Sequence, residues 1–169
     1  MLTRVFVYGT LKTSFRNWSL YLDSNAASFP GSAQFVGPAT TASRLVLFVG
    51  RHGVPYLIES GRPEIASELG EELARGEFVK GELYDVCEEK LRHLDELEGC
   101  SMDPPLYNRR EMEVVVAGGA KEKAQVYVKN FAGKSDVELI RSSESGLLTS
   151  YEAVHHKDYH TRAERGEDV

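Results

Sequence analysis

One carboxylic acid in the sequence lies where the local pattern predicts an apolar side chain. Residues 91–98 carry leucines at three-residue spacing, and on a helix such leucines form one stripe that faces the core. Glu98 follows Leu94 by four residues, so its side chain leans over this stripe. Removal from water raises the pKa of a carboxylic acid toward neutrality. The spacing therefore predicts a partly buried acid, Glu98, that can accept and return a proton.

Other interpretations of the acids stay open at this level. Gly99 is a typical helix stop, and Glu98 just before it could simply reach solvent where the helix ends. Glu82 is the second acid considered for chemistry. Strand alternation places it opposite Val79 and Leu83, which indicates an exposed or hydrogen-bonded structural role.

The turn after the first predicted strand is a candidate ligand site. Residues 2–8 are rich in β-branched and aromatic side chains, and Gly9 ends this run, which is typical of a buried strand entering a tight turn. Such a turn exposes consecutive backbone N–H groups that can bind a carboxylate or a developing oxyanion. Taken alone, a Gly-Thr pair after a strand is a weak signal, and an ordinary tight turn is its more common explanation. The candidate substrate-binding residues here are Tyr8, Gly9, Thr10 and Leu11.

Two further groups of reactive side chains are less well placed. His155, His156 and His160 lie close together, and two of them, His156 and His160, would share one face of a helix. A metal site needs a third ligand at suitable spacing, and none accompanies this pair. We therefore predict no metal site and no cofactor. Cys100 follows the predicted helix, yet no motif places a histidine to activate it, so we expect a small semi-buried thiol.

Strand patterns recur in both halves of the chain. They cover residues 2–8, 44–49, 54–59, 78–86, 110–116 and 123–129. Helices are predicted over 17–22 and 85–99. Residues 26–43 have the composition of connecting loops, and 64–76 that of a solvated helix or a surface excursion.

These elements predict an α+β fold. Strands in both halves without βαβ alternation indicate a sheet that is mixed or closes into a small barrel. We expect a single domain over residues 1–160, followed by a disordered charged tail over 161–169.

Composition and charge restrict the class of protein. The 169 residues carry a net charge of -6 without a basic run, so we expect no nucleic acid partner. Cys87 and Cys100 are too few for a disulfide framework and lack the spacing of a zinc site. The apolar stretch 5–8 is far shorter than a signal peptide or a membrane span, which favours a cytoplasmic protein with no membrane partner. No protein partner is inferred.

Five short motifs follow one another along the chain. They occupy residues 5–12, 54–57, 81–86, 94–98 and 107–109. In this order they resemble the γ-glutamyl cyclotransferase-like family, and the resemblance spans residue 5 to about residue 130. The Tyr-Gly-Thr-Leu-Lys form of the turn is most similar to the γ-glutamylamine cyclotransferase and AIG2-like branch.

The resemblance implies a small mixed β-barrel with flanking helices and a pocket. Residues 8–11 would line the pocket, and Glu98 would lie inside it as the acid that carries protons. The implied activity is release of 5-oxoproline from a small-molecule γ-glutamyl amide without a cofactor. Tyr107 and Arg109 form a Tyr-x-Arg motif and are candidate pocket residues, although Arg109 could equally buttress a loop.

The chain departs from the pattern of the family at the mouth of the implied site. Thr13 and Ser14 follow Lys12 where the family often has Arg-Gly, and residues 60–77 and 100–105 look longer than in compact members. The resemblance favours γ-glutamyl-ε-lysine or a similar amine adduct as substrate. A cyclotransferase for γ-glutamyl amino acids, a non-catalytic module that binds 5-oxoproline or another small acid, and an interaction domain remain alternatives.

Overall fold

A small β-barrel closed by five strands forms the centre of the fold. The computed structural model describes residues 1–26, 28–143 and 145–166. The barrel order is β1 (Leu2–Val7), β5 (Lys80–Cys87), β2 (Ala33–Thr41), β6 (Tyr107–Val116) and β7 (Lys121–Lys129). A separate two-stranded sheet consists of β3 (Leu45–Val49) and β4 (Pro55–Glu59).

Helices flank the barrel. Their bounds are α1 (Arg16–Tyr21), α2 (Pro63–Leu69), α3 (Glu71–Arg75), α4 (Glu88–Leu97), α5 (Lys134–Arg141) and α6 (Ala153–His156). Helices α1 to α4 lie between strands along the chain, and α5 and α6 follow β7. Four of the five pairings within the barrel are antiparallel, and β1 closes the barrel by pairing parallel to β7. The predicted α+β fold with a mixed barrel is confirmed.

The strand β1 is buried on both of its faces, which explains its continuous apolar sequence. Phe6 points into the barrel and packs with Leu83 and Val126. Val5 and Val7 point outward and pack against residues of helices α1 and α4. A strand enclosed in this way emerges from the core at its end, so the turn that follows it lies at the rim of the barrel.

The helix α4 supplies much of this outer cover. Its Leu94 is fully buried against Val5 and Val7, as the leucine spacing predicted. The helix was predicted to begin at residue 85, but it begins at Glu88, because residues up to Cys87 pair with β1 as part of β5. The end of α4 is thereby held beside the end of β1.

The prediction of loops over 26–43 is wrong for residues 33–41, which form the barrel strand β2. This strand pairs with β5 along its length and with β6 only from Ala39 onward. A bulge between Phe35 and Gly37 accommodates the irregular sequence there. Pairing on both sides outweighs a local composition that is poor for strands, since strand formation depends strongly on tertiary context.

Residues 157–166 return to the barrel instead of extending from it. Glu164 pairs with Arg16 of α1 at 2.5 Å, and the Arg162 guanidinium donates to the carbonyl oxygen of Leu97 at 2.8 Å. Residues 161–166, which belong to the predicted charged tail, thus contact α1 and the end of α4 through these side chains. Residues 167–169 lie outside the described residues. Across the described ranges, no helix is long and apolar enough to cross a membrane.

Candidate active site

A cavity of about 660 Å³ lies at the end of the barrel where β1 enters its turn. Segments distant in the sequence meet around it, which is typical of a pocket that binds a small molecule. Its lining includes residues 8–11, Tyr21 of α1, Glu98, Tyr107 of β6 and Arg162.

The turn after β1 is shaped by close packing at Gly9. A Cβ atom at this position would lie 2.5 Å from Cγ of Pro55, so β4 can approach the turn only if residue 9 has no side chain. The Lys12 N–H donates to the Gly9 carbonyl at 3.0 Å and closes the turn. Tyr8 anchors the other side, since its hydroxyl donates to the Tyr127 carbonyl at 2.8 Å. The close approach explains why glycine is required here.

The start of α1 holds the turn from outside. The buried Asn17 amide donates to Thr10 Oγ1 at 2.8 Å, and the Trp18 N–H donates to the Thr10 carbonyl at 3.2 Å. The hydrogen bonds between described residues leave the N–H groups of Gly9, Thr10 and Leu11 without an acceptor. Three consecutive residues that line the cavity therefore carry unpaired main-chain donors, which is a suitable arrangement for an anionic or carbonyl oxygen.

Glu98 is the C-cap residue that directly follows α4, with φ -82° and ψ -2°, and Gly99 comes next in the left-handed region. The helix therefore stops at Gly99, as predicted. The Glu98 side chain nevertheless lines the cavity. It is half-buried, and its exposed surface forms part of the cavity wall. No hydrogen bond from another described residue reaches this carboxyl.

Burial is the main influence on the Glu98 carboxyl. Desolvation, opposed by Arg162 and assisted by Asp95, raises its pKa to about 7. A group with this pKa exchanges a proton readily near neutral pH. The acid predicted from the leucine spacing therefore lies in the cavity lining and has a pKa near neutrality.

Phenol groups make up much of the wall around this acid. Burial raises the pKa of Tyr8 and of Tyr107 well above the ordinary value, and the nearby Glu98 adds to the effect. Burial likewise raises the pKa of Tyr21 to about 12. These hydroxyls stay protonated at physiological pH, so they can donate hydrogen bonds but cannot act as bases there.

The structure separates the two residues of the Tyr-x-Arg motif. Tyr107 lines the cavity, and its hydroxyl donates to the Pro55 carbonyl at 3.1 Å. Arg109 is not among the lining residues and binds both oxygens of Asp95, at 2.7 and 3.0 Å. It therefore joins β6 to helix α4, whereas the alternative considered for it was contact with a loop.

The other candidate groups have structural surroundings. Glu82 accepts hydrogen bonds from the N–H and the hydroxyl of Thr13, both at 2.8 Å. Burial raises the pKa of the Cys100 thiol to about 12, which keeps it protonated. His156 is stacked between Phe15 and Tyr159. In the part of the chain that the structure describes, no group of three or more potential metal ligands is found.

Cavity residues without a role in the sequence analysis include Tyr21, Tyr159 and Arg162. Tyr21 lies three residues after Trp18, and this spacing could have indicated a buried aromatic face on α1. Tyr159 and Arg162 stand in a polar segment with no motif and no periodic pattern. No local signal could have connected them to the site.

Comparisons with known proteins point to one family. A family model described as "Gamma-glutamyl cyclotransferase, AIG2-like" matches residues 5–149. A gamma-glutamylaminecyclotransferase of Rattus norvegicus is 33% identical over 137 residues, which cover 78% of this chain and 79% of the relative. The Homo sapiens protein of that name is 34% identical over 123 residues, which cover 70% of this chain and 68% of the relative.

A solved structure extends the match to the fold. The crystal structure of an AIG2-like protein from Mus musculus matches with a TM-score of 0.72 and 29% identity. The match covers 95% of this chain and 97% of the mouse chain. The resemblance carried by the five motifs is thereby confirmed. The chain belongs to the gamma-glutamyl cyclotransferase, AIG2-like family.

Proposed function

We propose that this protein is a γ-glutamylamine cyclotransferase that converts a γ-glutamyl amide into 5-oxoproline and a free amine. The observation that carries the proposal is a carboxyl with a pKa of about 7, Glu98, in a cavity with unpaired main-chain donors. Family membership and the names of the relatives support the choice of reaction. The preferred substrate is γ-glutamyl-ε-lysine or a similar amine adduct.

The reaction needs no external nucleophile. The α-amine of the glutamyl group attacks its own γ-carbonyl carbon, so a C–N bond forms within a five-membered ring and the amide bond to the leaving amine breaks. Binding in a folded conformation brings the reacting atoms together, which supplies several kcal/mol of the rate acceleration. The volume of the cavity, about 660 Å³, suits a small molecule held in this way.

Glu98 carries the proton between the two nitrogen atoms. Its carboxylate takes a proton from the α-amine as the ring closes, and the resulting acid returns that proton to the departing nitrogen. The carboxylate must be ionised at the start of the cycle. Because burial raises its pKa to about 7, kcat/KM is expected to rise with pH through about 7.

The turn after β1 binds the γ-glutamyl group in this mechanism. The N–H groups of Gly9, Thr10 and Leu11 are the donors for a carboxylate of the substrate or for the γ-carbonyl oxygen as it gains negative charge. Tyr8 and Tyr107 supply the wall beside it. Arg109 is not assigned to the substrate, since it pairs with Asp95.

The test is a substrate comparison with a binding measurement beside it. The purified protein is incubated with γ-glutamyl-ε-lysine, with a γ-glutamyl α-amino acid and with glutathione, and 5-oxoproline is quantified by mass spectrometry. We expect the highest kcat/KM with γ-glutamyl-ε-lysine. Higher activity on the α-amino acid adduct would reassign the substrate. Calorimetric binding of 5-oxoproline without turnover of any compound would indicate a binding module and would contradict the proposal.

A further inference from the structure

The C-terminal segment 157–166 joins the two halves of the candidate site. On one side, the Asn17 amide that binds Thr10 also donates to the Tyr159 hydroxyl, at 3.0 Å. On the other side, the Arg162 guanidinium donates to the carbonyl oxygen of Leu97, the residue before Glu98, at 2.8 Å. Two side chains three residues apart thus connect the turn after β1 with the end of α4.

Contacts outside the cavity hold this segment in place. The His160 N–H donates to the His52 carbonyl at 3.0 Å, next to the β3–β4 hairpin. Glu164 pairs with Arg16 of α1 and also accepts from the Thr161 N–H at 2.8 Å. The position of Arg162 therefore follows from anchors on separate elements and does not depend on a ligand.

The charge on Arg162 matters because of what surrounds Glu98. The facing groups are phenols from the turn, α1, β6, β7 and the C-terminal segment, the Cys100 thiol, and the Asp95 carboxylate of α4. The phenols are those of Tyr8, Tyr21, Tyr107, Tyr127 and Tyr159. Asp95 disfavours ionisation of Glu98, whereas Arg162 favours it. Two further cations, Lys129 and Arg165, line the cavity, and Lys129 is paired with Asp136.

We propose that Arg162 is a positioning residue for the reaction: it ties the C-terminal segment to the end of α4 and holds a positive charge beside Glu98, so that the carboxylate is ionised when substrate arrives. The catalytic meaning of this inference rests on the proposed function, whereas its electrostatic part does not. The family model ends at residue 149, before this segment begins. The role is therefore assigned from the geometry of this chain.

A direct titration of Glu98 tests the inference without turnover. Side-chain carboxyl signals of ¹³C-labelled glutamate are followed by NMR against pH in the wild type, Arg162→Gln and Arg162→Lys, and Glu98→Gln identifies the signal. Loss of the positive charge should raise the midpoint of Glu98 by about half to one pH unit. Arg162→Lys should stay within about 0.3 units, because it keeps the charge. Arg92→Gln, an exposed change on α4, is the matched control and should leave the midpoint unchanged.

Activity gives the second measurement. The acidic limb of the kcat/KM profile should move to higher pH in Arg162→Gln by the same amount as the NMR midpoint, which is roughly a fivefold loss at pH 7 for a shift of one unit. Arg162→Met keeps a long side chain without the charge and should reproduce both shifts, provided that circular dichroism shows the native fold. It serves as the second variant if Arg162→Gln does not fold.

The outcomes separate the two proposals. An unchanged midpoint in folded Arg162→Gln and Arg162→Met, or an equal rise in Arg162→Lys, would overturn the role of the charge on Arg162. If the midpoint rises as expected but the wild type turns over no γ-glutamyl compound, the electrostatic coupling stands and the proposed function fails. Turnover that requires Glu98 but keeps one pH profile in all Arg162 variants would leave the function standing and remove Arg162 from it.

Discussion

Two acids of this protein, Glu82 and Glu98, differ in what surrounds their carboxyl groups. Glu82 lies on β5 and accepts hydrogen bonds from Thr13 and, at 3.3 Å, from the Tyr84 hydroxyl. Glu98 faces a cavity, receives no hydrogen bond from a described residue, and has its pKa raised by burial to about 7. The first carboxyl is bound by donors, whereas the second is removed from water, which disfavours its charged form.

The difference lies in the surroundings and not in the residue type. Near Glu82, a short side chain and a backbone N–H of the same residue, Thr13, satisfy the carboxylate. Around Glu98, buried phenols from several elements surround the carboxyl without a hydrogen bond to it. A carboxyl left in this condition is available to a substrate that brings its own donors.

The matched changes Glu98→Gln and Glu82→Gln should show the largest difference between the two acids. Loss of the proton carrier should lower kcat about 10²- to 10⁴-fold, while the loss of hydrogen bonds around residue 82 should change kcat by less than about threefold. Steady-state assays of 5-oxoproline release on both variants measure this contrast. Equal losses, with both proteins folded, would contradict the assignment of the proton carrier.

A stability measurement sharpens the same contrast. Because the folded pKa of Glu98 lies above the unfolded value, the folded state binds the extra proton and stability falls as pH rises from about 4.5 to about 7. The cost should reach about 3 kcal/mol above pH 7. Urea unfolding of the wild type and Glu98→Gln at several pH values checks it: the variant should gain relative stability across this window. A difference independent of pH would show that burial does not raise this pKa.

The turn that faces Glu98 should be less tolerant than its exposed neighbours. Gly9→Ala places a methyl group against Pro55 and should cost about 1–3 kcal/mol of stability and up to about 100-fold in kcat/KM, since the main-chain donors move. Thermal unfolding and kinetics measure the two losses. Adding Pro55→Ala removes the nearest atom and should restore part of both. Independent, additive losses would argue against this contact as the cause.

The smallest effect is expected from the buttress outside the cavity. Arg109→Gln removes the pair with Asp95, which is partly exposed on both sides, so the free energy of unfolding should fall by about 0.2–1 kcal/mol. Turnover should fall less than about threefold, because Tyr127 still donates to Asp95. Denaturant titration and the 5-oxoproline assay measure both. A large rise in KM alone would instead return Arg109 to substrate binding.

The sequence predicted most strands because their alternation is local. The hairpins of β3 with β4 and of β6 with β7 lie where the patterns placed them, although β6 begins at Tyr107 and not at residue 110. The strand that was predicted as a loop is β2, which forms because it pairs with β5 on one side and with β6 on the other. Helix α5 was not predicted at all. Elements that depend on neighbours leave little trace in their own residues.

The candidate site divides along the same line. Glu98 and the turn after β1 were identified from spacing and motifs, because helical periodicity and a glycine after a strand are properties of short segments. Tyr21, Tyr159 and Arg162 were not identified, since their roles arise from distant segments that meet around one cavity. For Arg109 the sequence left open a place in the pocket and a contact with a loop, whereas its observed partner is Asp95 on helix α4.

By itself, the sequence determined that Glu98 stands at the end of an amphipathic helix and that a tight turn follows the first buried strand. The sequence could not determine whether the carboxyl at that helix end is exposed to solvent or buried. Only the tertiary structure decided this, by packing the tyrosines of four elements and the C-terminal segment around the carboxyl. The reason is physical: periodicity places a side chain on a face, but desolvation depends on which other parts of the chain cover that face.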